Sequence, residues 1–169
     1  VSQATSPQDQ PAGGPPLLLG WREWVALPEL GLHLIKAKVD TGARTSTLHA
    51  FYVDPFRRRG ELHIRFGVHP LRGRTDVVVH GEAQVVDRRL VCDSGGHREH
   101  RYAIRAPLRL GGLSWPIELT LTNRESMRFR MLLGRTAIAG WALVDAERSY
   151  LTGRQSSPSR RYANPPGPG

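Results

Sequence analysis

Apolar residues recur at every second position over long stretches of this chain, and that period leaves little room for anything but strands. Leu62, Ile64, Phe66 and Val68 alternate with Glu61, His63, Arg65 and Gly67. Tyr102, Ile104, Ala106, Leu108 and Leu110 alternate with Arg101, Ala103, Arg105, Pro107 and Arg109, and after Gly111-Gly112 the pattern resumes through Leu113, Trp115, Ile117, Leu119 and Leu121. Successive side chains of a strand point to opposite faces, so each run has one face to bury and one to leave polar. Only Arg135 to Gly140 has a helical pattern, and Trp141 to Asp145 returns to strand. With no internal repeat, the expectation is an all-β fold, a small closed barrel with one short helix.

The remaining elements follow from turn chemistry. Trp21 to Leu27 reads as a first strand, closed by Pro28-Glu29-Leu30-Gly31 and returned as a hairpin through 32–39. Leu48 to Val53 is expected as a short strand, Arg57-Arg58-Arg59-Gly60 as an exposed connection, and Val77 to Val91 as two strands around Gly81. Pro107 and Pro116 cannot donate to a ladder, which places them at edges or bulges.

One strand ends in chemistry. Ile35, Ala37 and Val39 alternate with Lys36 and Lys38, so the run delivers Asp40 to the rim of a sheet, where Thr41-Gly42-Ala43-Arg44-Thr45-Ser46 follows. Gly42 permits a turn or a close backbone approach, and Thr41 and Ser46 offer hydroxyls that can hold a carboxylate. A structural Asp capping a turn is the plain alternative. A lone carboxylate activates water poorly, whereas two that share a proton serve as base and acid in one step. The chain must therefore supply a second Asp or dimerise.

Asp40-Thr41-Gly42-Ala43 after an apolar strand, with Met131-Leu132-Leu133-Gly134-Arg135 about ninety residues later, resembles the retropepsin-like aspartic peptidases. Gly20-Trp21-Arg22-Glu23-Trp24, Lys36 to Ser46 and Leu121 to Met127 are similar to a bacterial group often labelled "ATP-dependent zinc protease", and the likeness spans roughly 20–152. The resemblance implies an acid-protease barrel with one lobe per chain, working as a homodimer on a peptide or protein. Asp40, Thr41 and Gly42 would form the catalytic loop, with Thr41 reaching its copy across the dimer axis. Leu132, Leu133, Gly134 and Arg135 would back that loop, and Ala43 and Arg44 would contact substrate. Relatives are associated with glutamate-ligating ATP-grasp proteins. Where viral retropepsins carry Asp after Asp-Thr-Gly-Ala, this chain has Arg44, so Arg135 needs another acceptor, for which Glu125 and Asp145 are candidates. A cation beside the nucleophile favours acidic, glutamate-rich peptides, unless Arg44 is paired internally.

Asp93-Ser94-Gly95 is a permitted variant of the same tripeptide. A dyad with Asp40 within one chain is disfavoured by the short gap between them and by the lack of a second apolar-apolar-Gly strand. Asp93, Ser94, Gly95, Gly96 and His97 read instead as the tip of a hairpin between 85–91 and 101–110, a flap over substrate. His97-Arg98-Glu99-His100 is the one compact ligand-like cluster, but it lacks the His-Glu-x-x-His spacing and a helix to carry it. No Gly-x-x-x-x-Gly-Lys-Ser/Thr occurs either, so the sequence supports neither half of the zinc and ATP label. No metal or other cofactor is expected.

Composition sets the remaining bounds. At 169 residues one domain with its own core is expected, 17–153, and the single Cys92 leaves no intrachain disulfide. Residues 1–16 and 154–169 are rich in Pro, Gly, Ser and Gln and are expected as disordered tails. No apolar run approaches the ~18–20 residues of a membrane-spanning helix. A cytoplasmic location is expected, with an upstream leader left open by the initial Val. The net charge is +9, nearly all from Arg, with Lys only at 36 and 38. Such a surface attracts acidic peptides or nucleic acid, so a non-catalytic peptide- or nucleic-acid-binding β module is the second reading, and a zinc hydrolase the third.

Overall fold

A computed structural model describes residues 14–124 and 128–163. Its strands are β1 (Leu17–Leu19), β2 (Arg22–Leu27), β3 (Leu32–Asp40), β4 (Ser46–Ala50), β5 (Tyr52–Arg58), β6 (Glu61–Val68), β7 (Val79–Gln84), β8 (Asp87–Cys92), β9 (Arg98–Leu110), β10 (Leu113–Asn123), β11 (Met131–Gly134) and β12 (Ala142–Val144). Among the described residues helix is confined to a 3-10 turn at Pro28–Leu30 and the single turns α1 (Arg135–Ile138) and α2 (Arg160–Ala163). Six strands close a mixed barrel in the order β10-β4-β11-β3-β2-β9, with β9 returning to β10. The expected all-β closed barrel is therefore the observed one.

Strand β8 adds to β9 outside the ring, β5-β6-β7 form a second sheet, and β1 pairs with β12 in parallel. Alternation dictates the interior: Ile35 and Ala37 from β3, Leu48 from β4, Met131 and Leu133 from β11, Leu119 from β10 and Ile104 from β9 are fully buried. Each of the larger of these side chains removed from water contributes about 1.5–3 kcal/mol. Asp40, Lys38 and Lys36 have the opposite parity and face out of the core.

Several local expectations shift for identifiable reasons. Polar Ser46 and Thr47 join β4, and the break to β5 falls at Phe51, whose ring stacks on His69 at 4.3 Å. The basic connection at 57–60 is strand as far as Arg58, turning at Arg59 and Gly60, both at positive φ. Gly81 lies inside β7 rather than between strands, because a Cβ there would meet the Phe66 ring at 2.5 Å. Pro107 and Pro116 stand opposite one another in β9 and β10, outside the stretches those strands pair on their other edges. Their missing N–H groups cost no ladder bond.

Residues 154–163, expected within a tail, turn back onto the barrel. The half-buried Tyr162 hydroxyl accepts the Leu34 N–H at 3.1 Å and donates to the Leu34 carbonyl, and burial pushes its pKa up to about 12. Residues 1–13 and 164–169 of the expected tails lie outside the described residues. No helix among the described residues is long and apolar enough to cross a membrane.

A buried carboxylate fastens the two ends of the barrel sequence. Glu23, with no exposed surface, accepts the N–H groups of Gly20 (2.7 Å), Leu151 (3.0 Å) and Thr152 (3.0 Å) and the Thr152 hydroxyl (2.7 Å). Removing it strands buried donors. Glu23→Ala is expected to lower unfolding free energy by roughly 2–4 kcal/mol, read from urea midpoints.

Candidate active site

The Asp40 loop is built by threading. Strand β11 runs between β3, to which it is parallel, and β4, to which it is antiparallel, with Gly134 opposite Asp40 and Leu132 opposite both Lys38 and Thr47. Past the strand end, Arg135 N–H donates to the Ala43 carbonyl at 2.7 Å and Thr136 N–H to the Arg44 carbonyl at 3.0 Å. Gly134 N–H donates to the buried Ser46 hydroxyl at 2.9 Å. A Cβ on Gly134 would lie 2.5 Å from the Thr45 carbonyl carbon, so only glycine lets the two segments meet this closely.

Within the loop, Asp40 Oδ1 accepts the N–H groups of Gly42 (3.0 Å) and Ala43 (3.2 Å). Oδ2 has no hydrogen-bond partner among the described residues, and the side chain is half-buried. One oxygen is pinned and the other is left without a hydrogen bond. Ser46 was expected to hold the carboxylate; it holds β11 instead, because backbone amides already satisfy Oδ1 and its own side chain points to the strand behind. Arg135 donates to the Thr41 carbonyl at 3.2 Å rather than to Asp145, which is engaged by Arg148 at 3.5 Å; Glu125 lies outside the described residues. Thr41, Gly42 and Arg44 are exposed, and no described carboxylate pairs with Arg44. Thus Asp40 to Arg44 and Leu132 to Arg135 meet in one knot.

Asp93 to His97 form the tip of the β8–β9 hairpin and share no hydrogen bond with that knot. Asp93 Oδ1 accepts the N–H groups of Gly95 and His97, both at 2.9 Å, and Oδ2 receives Arg124 at 3.1 Å. The His97 N–H, with Arg124 and Gly95, holds the Asp93 carboxyl below its usual range. Its partners are thus in its own turn and at the end of β10, not Asp40. No group of three or more His, Cys, Asp or Glu that could hold a metal occurs among the described residues.

The sequence reading passed over a layer of polar side chains on the face that carries Asp40. Thr47 and His49 of β4 lie opposite Thr120 and Thr122 of β10, and Thr47, His49, Thr120 and Thr122 are all buried. Arg101, 8% exposed, pairs with Glu99, and Thr122 donates to the same Glu99 oxygen at 2.8 Å. Burial alone would raise the Glu99 carboxyl, but Thr122 and Arg101 outweigh it and hold it low. His49, 4% exposed, has no hydrogen-bond partner at either ring nitrogen. Burial, then Arg101, Arg130 and Arg124, lower its pKa to about 4, against a smaller opposing effect of Glu99. The available signal was the parity of 46–50, where Thr47 and His49 alternate with Leu48.

A parallel-and-antiparallel threading of one strand behind an Asp-Thr-Gly loop, on a six-stranded barrel, defines the retropepsin class of fold. A family profile described as "RimB-like: Retropepsin-like aspartic endopeptidase RimB" matches residues 18–155, and the chain belongs to that family. It is 46% identical over 139 residues to a "Probable alpha-L-glutamate ligase" of Shewanella halifaxensis, covering 82% of this chain and 30% of that protein. A protein of the same description from Parasynechococcus marenigrum is 50% identical over 149 residues, 87% of this chain and 32% of the relative. The chain thus spans about a third of the length of these curated relatives. A Legionella pneumophila crystal structure of unknown function superposes with a TM-score of 0.68 at 27% identity, covering 81% of this chain and 98% of that one. The zinc and ATP label gains no support from these findings.

Gly134→Ala is expected to cost roughly 1–3 kcal/mol and to displace the Asp40 loop, read from melting and from amide exchange at Gly42 and Ala43. The His49 shift sets an acid limit. Its proton is bound more tightly in the unfolded chain (6.5) than in the fold (about 4), so the stabilisation is full above pH 6.5 and is lost as pH falls toward 4. His49→Asn is expected to flatten the stability profile in that window by up to about 3 kcal/mol, measured as urea midpoints against pH.

Proposed function

We propose that the chain is an aspartic endopeptidase whose active site is completed by a second copy of itself, acting on acidic, glutamate-rich peptides. The observation that carries this reading is the Asp40 carboxylate, with one oxygen fixed by two backbone amides and the other without a partner among the described residues. Brought to contact distance, the carboxyls of two such loops cannot both ionise and share one proton. A water between them gives its proton to the ionised carboxylate as its oxygen attacks the peptide carbonyl carbon. The protonated carboxyl donates to the carbonyl oxygen. Collapse of the tetrahedral adduct breaks the C–N bond, and a proton passes to the leaving nitrogen.

The β1–β12 pair supports a second copy. It is a two-stranded sheet with no further strand at either edge among the described residues, and it exposes Leu18 (47%) and Leu143 (59%). Unpaired edges with exposed apolar side chains favour isologous association. In the dimer, Thr41 of each loop would reach its copy, and Gly42, Ala43 and Arg44 would line the cleft with the flap residues Asp93, Ser94, Gly95, Gly96 and His97. The acidic preference rests on the exposed Arg44, on the net charge of +9, and on the relatives described as glutamate ligases. The same descriptions support functional association with a glutamate-ligating protein.

Asp40→Asn is expected to reduce hydrolysis by at least about three orders of magnitude while leaving the melting curve in place, and chelators are expected to have no effect. Arg44→Glu is expected to lower kcat/KM for a glutamyl library about tenfold relative to a neutral one. Undiminished turnover by Asp40→Asn removes the peptidase reading. Equal cleavage of both libraries by the wild type removes the acidic preference.

A further inference from the structure

The sheet face that bears Asp40 also bears a cationic pocket some distance along it. Lys38 and Lys36 share the parity of Asp40 on β3, and across the ladder Arg22 stands opposite Lys38 and Trp24 opposite Lys36. At that end of the face lies a cavity of about 320 Å³ whose lining includes Arg22, Lys36, Arg72 and Arg128, with Trp24 and Phe129 among its apolar walls. Among the described residues no Asp or Glu lines it. Arg74, also at its rim, is neutralised by a bidentate pair with Asp76 at 2.8 Å. The other cations are differently placed. Arg22 stacks on Trp21 and Tyr150, Lys36 sits over Trp24, and Arg128 lies over Phe129. Among the described residues no carboxylate pairs with Arg22, Lys36, Arg72 or Arg128. Arg22, Lys36 and Arg128 are thus held against aromatic rings, and with Arg72 they carry charge that no described carboxylate neutralises, an arrangement suited to capturing carboxylates.

We propose that this pocket is a second substrate-contact site that binds acidic side chains of the peptide at a distance from the bond Asp40 attacks. The proposal rests on the peptidase reading and adds to it a place where acidic character is read. Lys36 is four residues from Asp40 along one strand, roughly 13 Å at 3.2–3.4 Å per residue, and about four residues of extended peptide span that distance. A peptide leaving the pocket along the same sheet face therefore reaches the nucleophile without crossing the barrel. Charge convergence in one concavity suits carboxylates on a flexible chain, whereas a nucleic-acid backbone is matched by a long stripe of cations. Anchoring there converts cleavage of an attached bond into a local event, which raises effective concentration at Asp40.

The test uses the full chain carrying Asp40→Asn, so that binding is read without turnover. An oligoglutamate peptide is titrated while tryptophan fluorescence is followed, with an oligoglutamine peptide and a single-stranded oligonucleotide of equal charge as comparisons. Adding Arg72→Ala and Arg128→Ala is expected to weaken oligoglutamate binding about tenfold. The same loss of charge by Arg57→Ala and Arg59→Gly, in the β5–β6 hairpin, is expected to change it less than about twofold. Oligoglutamate affinity unchanged by the Arg72 and Arg128 substitutions overturns the proposal. So does tighter binding of the oligonucleotide with the same dependence on those arginines, which makes the pocket a nucleic-acid site. Failure of the peptidase reading gives a separate signature: wild-type protein then binds oligoglutamate through Arg72 and Arg128 but leaves its peptide bonds intact.

Discussion

The contact between Gly134 and the backbone of Thr45 is the constraint on which the rest of the site depends. Two chain segments about ninety residues apart approach until a single added methyl group would lie 2.5 Å from a carbonyl carbon. That closeness lets β11 bond to β3 on one side and β4 on the other, and lets Arg135 and Thr136 catch the carbonyls of Ala43 and Arg44. The Asp40 loop is consequently held from behind by strand and helix-end amides while its own amides hold the carboxylate. Positioning of this kind is what acid–base chemistry requires, since a proton moves efficiently only between groups held in hydrogen-bonding geometry.

A division by parity runs through the whole barrel. Side chains with the parity of Ile35 and Leu48 make an apolar interior, while those with the parity of Asp40 make a polar, cation-rich exterior that includes Lys36, Lys38, Thr47, His49 and Arg101. Part of that outer layer is nevertheless buried, at Thr47, His49, Arg101, Thr120 and Thr122. There Arg101 and Glu99 neutralise each other, and His49 remains uncharged because burial, and after it the positive charges of Arg101, Arg130 and Arg124, oppose its protonation. Charge on this face is thus compensated beside Glu99, while Arg44 and, in the pocket beside Trp24, Arg22, Lys36, Arg72 and Arg128 have no carboxylate partner among the described residues.

Alternation made the barrel legible, because a two-residue period leaves a strand one choice of which face to bury. The Asp40 loop and Leu132-Leu133-Gly134 were legible for a different reason: short motifs with a fixed backbone role keep their residue types. What escaped was set by contacts between segments remote in sequence. Ser46 could be seen as a hydroxyl near a carboxylate, but not that its partner is the Gly134 N–H. Glu23 stood in plain view in a stretch used only for its resemblance, yet its burial depends on Leu151 and Thr152, more than a hundred residues away. Gly81 looked like a turn residue because nothing local reveals the Phe66 ring that lies against it. The β1–β12 pair joins two segments three residues long, too short to carry a period. Tyr162 could not be rescued from a polar tail by composition, since a single aromatic residue finding the Leu34 backbone decides its placement.

The proposed peptidase chemistry requires that one catalytic unit draw Asp40 from two chains. The direct measurement is peptidase activity of wild-type protein mixed with increasing amounts of the Asp40→Asn chain under conditions where subunits exchange. If both carboxyls act on one water, mixed pairs are inactive, and an equal mixture retains about a quarter of the activity of the same total of wild-type protein. Retention of about half, falling in direct proportion to the wild-type fraction, would mean that each chain works alone and would contradict it.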